Sequence, residues 1–93
     1  MNEQGEKIEM TQLEIIKQTY TLLPVIASFD AEGHAKPLFI RVGGESYKIF
    51  SCQLKKNFEG ISVFVCQVDD HGKLRSIVLN FHKRETVWSI AEK

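Results

Sequence analysis

Residues 61–81 read ISVFVCQVDDHGKLRSIVLNF, and this stretch decides the fold. Two apolar runs, Ile61 to Val68 and Leu74 to Phe81, flank the polar tetrad Asp69-Asp70-His71-Gly72. β-Branched and aromatic runs separated by a short polar turn ending in glycine mark a β-hairpin. Val63, Phe64, Val65 and Cys66 are consecutive, as are Ile77, Val78 and Leu79, so both strands are apolar on both faces. A sheet interior covers only one face, because alternate side chains point to opposite sides. The outer face therefore needs a cover, from a helix of the same chain or from a second copy of it.

The same alternation extends outward from this hairpin. Upstream, Leu23, Val25, Ala27 and Phe29 alternate and stop at Asp30 to His34, where Gly33 suits a positive φ. Leu38, Ile40 and Val42 alternate up to Gly43-Gly44, a strong two-residue turn signal. A third run covers Ser46 to Leu54, and its adjacent Ile49 and Phe50 mark a β-bulge or a change of face. Lys55 to Gly60 reads as a longer polar connection. Downstream, His82-Lys83-Arg84 leads into a last run from Thr86 to Ile90, which holds Trp88. Connections this short allow only antiparallel neighbours. The expected fold is mainly β (α+β): a six-stranded antiparallel meander curled into a small, partly open barrel of SH3-like proportions.

One short helix precedes the strands. Thr11 and Glu14 form a T-x-x-E capping box, with Met10 and Ile15 at the positions of a hydrophobic staple. Leu13, Ile16, Tyr20 and Leu23 recur at helical spacing, while Thr19, Thr21 and Pro24 work against continuation. The spacing predicts a helix over 12–19, after a polar, disordered leader over 1–10, with a single domain over 11–93.

Composition narrows the class. Ninety-three residues suffice for one domain, and 43% hydrophobic content with 26% charged residues is that of a folded chain. Twelve basic residues balance twelve acidic ones, whereas a dedicated nucleic-acid-binding domain usually carries a basic excess for phosphate contacts. Residues 1–10 lack the basic start and apolar stretch of a signal peptide, and no apolar run is long enough to span a bilayer. A cytoplasmic protein with no membrane partner is expected. Cys52 and Cys66 sit inside apolar runs and no CxxC occurs, so they read as reduced core thiols.

Several side chains invite a chemical reading. Asp69, Asp70 and His71 are ligand types, but Asp-Asp-x-Gly is ordinary turn chemistry, and a metal site needs three or four converging donors. His34, His71 and His82 all fall at or beside predicted turns, and nothing aligns His34 and Asp30 with a serine. Lys55, Lys56, Lys83 and Arg84 are short basic clusters with acids nearby, as solvated turns commonly are. Trp88 reads as a core residue. No catalytic, cofactor-binding or metal-binding constellation emerges.

The second and third strands offer more. With Leu38, Ile40 and Val42 facing inward, Phe39 and Arg41 face outward, near Lys48 and Phe50 across the Gly43-Gly44 turn. An exposed aromatic beside cations is what stacking on a base or docking a peptide requires. The commoner arrangement has Phe39 packed beneath the helix with the cations simply solvated.

Leu23-Pro24-Val25-Ile26-Ala27-Ser28-Phe29-Asp30, followed by Gly33, Pro37-Leu38, Tyr47-Lys48-Ile49 and Trp88, resembles a group of short uncharacterised bacterial proteins. They share a P-V-x-x-x-F/Y-D-x-x-G opening, a P-L pair, a Tyr-x-Ile segment and a terminal aromatic strand. The resemblance covers residues 23–90 and leaves the helix outside. It implies a bacterial, β-barrel-like domain of unknown function encoded near Y-family DNA polymerases, and it supplies no catalytic residues. A non-enzymatic interaction module is thus expected, binding a protein partner or a second copy through a strand edge or the face of Phe39, Arg41, Lys48 and Phe50. The alternative is an accessory nucleic-acid-binding barrel of DNA repair or replication, which needs Arg41, Lys48, Lys55 and Lys56 to converge.

Overall fold

A computed structural model of the chain describes residues 12–91. The leader expected over 1–10, the Thr11 cap and the Met10 staple lie outside the described residues. Helix α1 spans Gln12–Thr19, as its spacing predicts. The strands are β1 (Thr21–Leu23), β2 (Val25–Phe29), β3 (Ala35–Val42), β4 (Glu45–Asn57), β5 (Ile61–Asp70), β6 (Lys73–His82) and β7 (Val87–Ile90). They form one antiparallel sheet in the order β1-β7-β6-β5-β4-β3-β2, curled into a partly open half-barrel.

Seven strands replace the expected six because Pro24 divides the first run. Its nitrogen carries no proton for a ladder, while its carbonyl accepts the Arg41 N–H at 3.1 Å. On one side of it β1 pairs with β7, and on the other β2 pairs with β3. Two segments separated by one residue therefore sit at opposite ends of the strand order, and the sheet curls round between them.

β4 performs a similar change of partner. Glu45 to Lys48 pair with β3, whereas Ile49 onward pairs with β5. The register shifts between Ile49 and Ser51, so Phe50 is the extra residue of the bulge expected there. A second shift leaves Lys55 unpaired, and β4 runs on to Asn57, shrinking the expected polar connection to Phe58–Gly60. At the β3–β4 turn, Gly43 and Gly44 adopt φ of 59° and 83°; at the β5–β6 turn, His71 and Gly72 adopt 54° and 93°. Two successive positive φ values give the primed turn whose twist matches that of the flanking strands.

The concave face holds the core: Ile40, Ile49, Phe64, Cys66, Val68, Leu79, Phe81 and Trp88. Trp88 packs against Phe81 and Phe64, with ring centroids 4.7 and 5.7 Å away. β3 corrects one expectation. A register shift leaves Leu38 as an extra residue, and Pro37 takes the inner position beside Ile40. Val42 does face the concave side but lies at its open mouth, half-exposed.

The helix covers one end of the convex face. Ile16 is buried, and the Tyr20 ring meets His82 edge-on at 4.7 Å. Asn80, His82 and Ser89, which alternate with core residues, are buried here. Among the described residues, no helix is long and apolar enough to cross a membrane.

Candidate interaction face

The convex side of β2, β3 and the start of β4 assembles the four side chains singled out from the sequence. Antiparallel register places Ile26 opposite Phe39 and Phe39 opposite Lys48, one continuous row across three strands. Directly opposed residues share a face, with Cβ atoms about 5 Å apart. Arg41 is paired with Ser46, and its Nη1 donates to the Ser46 hydroxyl at 3.3 Å. Lys36 is paired with Ser28 at the other end of the face. Phe50, freed from the ladder by the bulge, stands two residues beyond Lys48.

Exposure settles the position of Phe39. It is 37% exposed, with Ile26 at 62% and Phe50 at 69%, so the expected packing of Phe39 beneath the helix is not what the fold does. The helix instead lies over His82 and Tyr20. A hollow of about 110 Å³ between Pro24, Ile26, Phe39, Arg41 and Ser46 indents the row. None of the paired positions on this face carries an acid: Ile26, Ser28, Lys36, Phe39, Arg41, Ser46 and Lys48 are apolar, hydroxylic or basic. Ile26 is not legible as a face residue from the sequence, where its neighbours Val25 and Ala27 carry the alternation. Its place opposite Phe39 depends on a long-range register.

Lys55 and Lys56 do not join this face. Lys56 is paired with Val63 on β5, and eight residues of strand, roughly 25 Å, separate it from Lys48.

The remaining candidates are held by their own turns. Asp69 accepts the Gly72 N–H at 2.8 Å, while Asp70 pairs with Arg75 at 2.7 Å and His71 at 2.9 Å. Asp30 accepts the backbone N–H groups of Glu32 and His34 and meets the His34 ring at 2.9 Å. Those bonds hold its carboxyl below the usual range, the His34 backbone bond first. Lys83 donates to the Asn57 side chain and the Phe58 carbonyl, bracing the β4–β5 connection. Among the described residues, no three His, Cys, Asp or Glu side chains gather as metal ligands do.

His82, read from the sequence as lying at or beside a turn, is the last residue of β6 and is buried. It is 2% exposed, and its Nε2 lies 2.9 Å from Ser89 Oγ, which also accepts from Asn80 at 3.3 Å. A histidine beside a serine has the outline of a base and nucleophile. Ser89, however, is fully buried, so no reacting group reaches its oxygen. His82 and Asn80 both bond to Ser89, and burial pushes the His82 imidazole pKa down, with Glu85 opposing.

Set against protein families, characterised proteins and solved structures, the chain matches none of them.

Proposed function

We propose that this chain is a non-enzymatic, cytoplasmic binding module of SH3-like proportions whose convex β2–β4 face docks a protein partner bearing apolar and acidic side chains. The observation that carries this reading is the acid-free row of Ile26, Phe39 and Lys48, flanked by Arg41 and Phe50. Aromatic and arginine side chains concentrate binding energy in interfaces, and clustered cations select against basic partners. Among the described residues, Phe50 and Ile26 stand outside the core, both exposed well beyond half.

A photo-crosslinking phenylalanine analogue at position 50 tests this in host cells, with the analogue at the exposed Leu74 as control. A single captured species, lost on Phe39→Ala and on Arg41→Glu/Lys48→Glu, is the expected result. Capture that ignores those variants sinks the reading. Light scattering across a concentration series separates a foreign partner from a second copy.

A second reading, which loses the Lys55 and Lys56 cations expected for it and rests on Lys36 in their place, is single-stranded nucleic acid, with bases stacked on Phe39 and Phe50 and phosphates near Arg41, Lys36 and Lys48. The resemblance of residues 23–90 to proteins encoded near Y-family DNA polymerases points the same way. Fluorescence anisotropy with oligo-dT decides it. Binding that weakens as salt rises supports this reading, and no binding at low salt eliminates it.

A further inference from the structure

Cys52 and Cys66 are directly opposed on β4 and β5, and both carry free thiols. Whether two opposed cysteines can be bridged depends on which kind of antiparallel pair they form, and the ladder fixes that. In an antiparallel strand the N–H and C=O of one residue point to the same side, and successive residues alternate. Ala91 donates its N–H to the Val78 carbonyl at 2.9 Å, so Val78 directs its main-chain groups toward β7. Ile77 therefore directs its own toward β5, where it stands opposite Cys66 in an unbroken register. Cys66 exchanges ladder bonds with Ile77 and turns no main-chain group toward β4.

Cys52 and Cys66 thus form a non-hydrogen-bonded pair, the closer kind, with Cα atoms about 4.5 Å apart. A disulfide takes Cα separations of about 4.4–6.8 Å and Cβ separations of about 3.5–4.5 Å. Opposed Cβ atoms lie about 4.5–5.5 Å apart, nearer the lower figure in this kind of pair, so closure needs a shift of at most about 1 Å. β4 leaves slack for it. Register shifts at Phe50 and Lys55 leave only Ser51 to Leu54 in unbroken pairing with β5, and a short segment between two bulges can draw inward by itself.

The two sulfurs also differ in access. Cys66 is fully buried and burial pushes its pKa up, so reagents dissolved in the solvent do not attack it. Cys52 is only partly buried.

We propose that Cys52 and Cys66 are a peroxide-responsive dithiol, which a hydroperoxide converts to a cross-strand disulfide and a soluble dithiol reopens. The Cys52 thiolate attacks the terminal peroxide oxygen and the O–O bond breaks. Two electrons pass from sulfur to oxygen, leaving a sulfenic acid and an alcohol, or water where the oxidant is hydrogen peroxide. The Cys66 sulfur then attacks the Cys52 sulfur. The S–S bond forms, the S–O bond breaks, and the hydroxyl leaves with the Cys66 proton as water. With hydrogen peroxide the balance is two thiols and one peroxide in, one disulfide and two waters out. Cys66 needs to reach only the sulfur that already faces it. A cross-strand bridge that pulls its strands together is of the strained, readily reduced kind, so exchange with a dithiol restores both thiols. This site shares no residue with the β2–β4 face and stands independently of it.

The test treats the folded, reduced chain with hydrogen peroxide at neutral pH, removes the excess with catalase, and counts thiols by alkylation in denaturant and mass spectrometry. The wild type is expected to lose both alkylation sites together, gain no oxygen, and regain both sites when dithiothreitol is added before any denaturant. Proteolysis should release one linked pair of peptides holding residues 52 and 66, in a yield independent of protein concentration. Cys66→Ala should stop at the Cys52 sulfenic acid, which dimedone labels, and Cys52→Ser should leave Cys66 reduced. If circular dichroism shows either variant unfolded, the linked peptides and their independence of concentration decide from the wild type alone. The proposal is overturned if both alkylation sites survive peroxide, or if Cys52 proceeds to the sulfinic acid while Cys66 still alkylates. It is equally overturned if the linkage joins two chains, or if dithiothreitol reopens the bond only in denaturant.

Discussion

Cys52 and Cys66 stand directly opposite each other on β4 and β5, both on the concave side, and both are free thiols. Burial pushes the Cys66 pKa up to about 12, and the neighbouring Cys52 adds to the effect. Since the thiolate is the reactive form, Cys66 is inert to dissolved reagents in the folded protein. Iodoacetamide at neutral pH is expected to label Cys52 first and Cys66 only after denaturant is added, as read by mass spectrometry; native labelling of Cys66 would contradict its burial. Leu79, opposite Phe64 and fully buried, is the counterpart among the aliphatic residues. Leu79→Ala leaves a cavity at the centre of the core and costs about 2–5 kcal/mol in urea denaturation. Both positions were legible as strand from residues 61–81, and Cys66 as a core thiol, but the side that Leu79 takes was not, because Ile77, Val78 and Leu79 are apolar on both faces. The inward place of Pro37 was not, because it depends on the Leu38 bulge, which only the pairing of β2 with β3 reveals.

At the scale of elements, the helix and its seat differ in how they were written. The T-x-x-E spacing and the apolar positions announced α1 at its observed bounds. The surface it covers was hidden, since Asn80, His82 and Ser89 alternate with core residues as solvent-facing residues do. Polar groups are buried at low cost only when they bond to one another, and these do. Their burial gives the helix a pH dependence. The folded His82 pKa lies below its ordinary value of 6.5, so between the two values the unfolded chain binds more protons. Stability from this group is complete above pH 6.5 and declines as pH falls toward the folded value. The charged groups that line the same hollow as His82 are Glu59, Arg84 and Glu85. Asp30 also has a lowered pKa, but it loses its contribution only below its ordinary 3.8, outside this window. Urea midpoints from pH 7.5 to 5.5 should fall for the wild type and stay flatter for His82→Gln. Parallel declines in both proteins would place the titration elsewhere.

Across the whole molecule, the half-barrel is joined by a covalent turn rather than by a ladder. β1 and β2 flank Pro24 yet pair with β7 and β3, at the two ends of the strand order. The hairpins between those ends were readable from their short polar turns, all but the β6–β7 turn carrying a glycine, because each is a local event. The join was not, since it needs Thr21 to find Ile90 across nearly the full length of the described chain. Trp88 makes that distant pairing worthwhile. It is opposite Leu23 on β1 and Phe81 on β6, and its ring reaches Phe64 on β5, so one side chain ties the last strand to the first and to the centre. Truncating a buried tryptophan to alanine typically costs about 3–5 kcal/mol. A domain of this size has only about 5–15 kcal/mol in total. Trp88→Ala should therefore lower the urea midpoint steeply with an unchanged slope, because the surface exposed on unfolding stays the same. With Tyr47→Phe added so that Tyr20 at the helix seat is the remaining tyrosine, its fluorescence should move together with far-ultraviolet circular dichroism, which reports the sheet. If the two separate, the helix end unfolds on its own, and Trp88 does not hold the ends of the sheet in one cooperative unit.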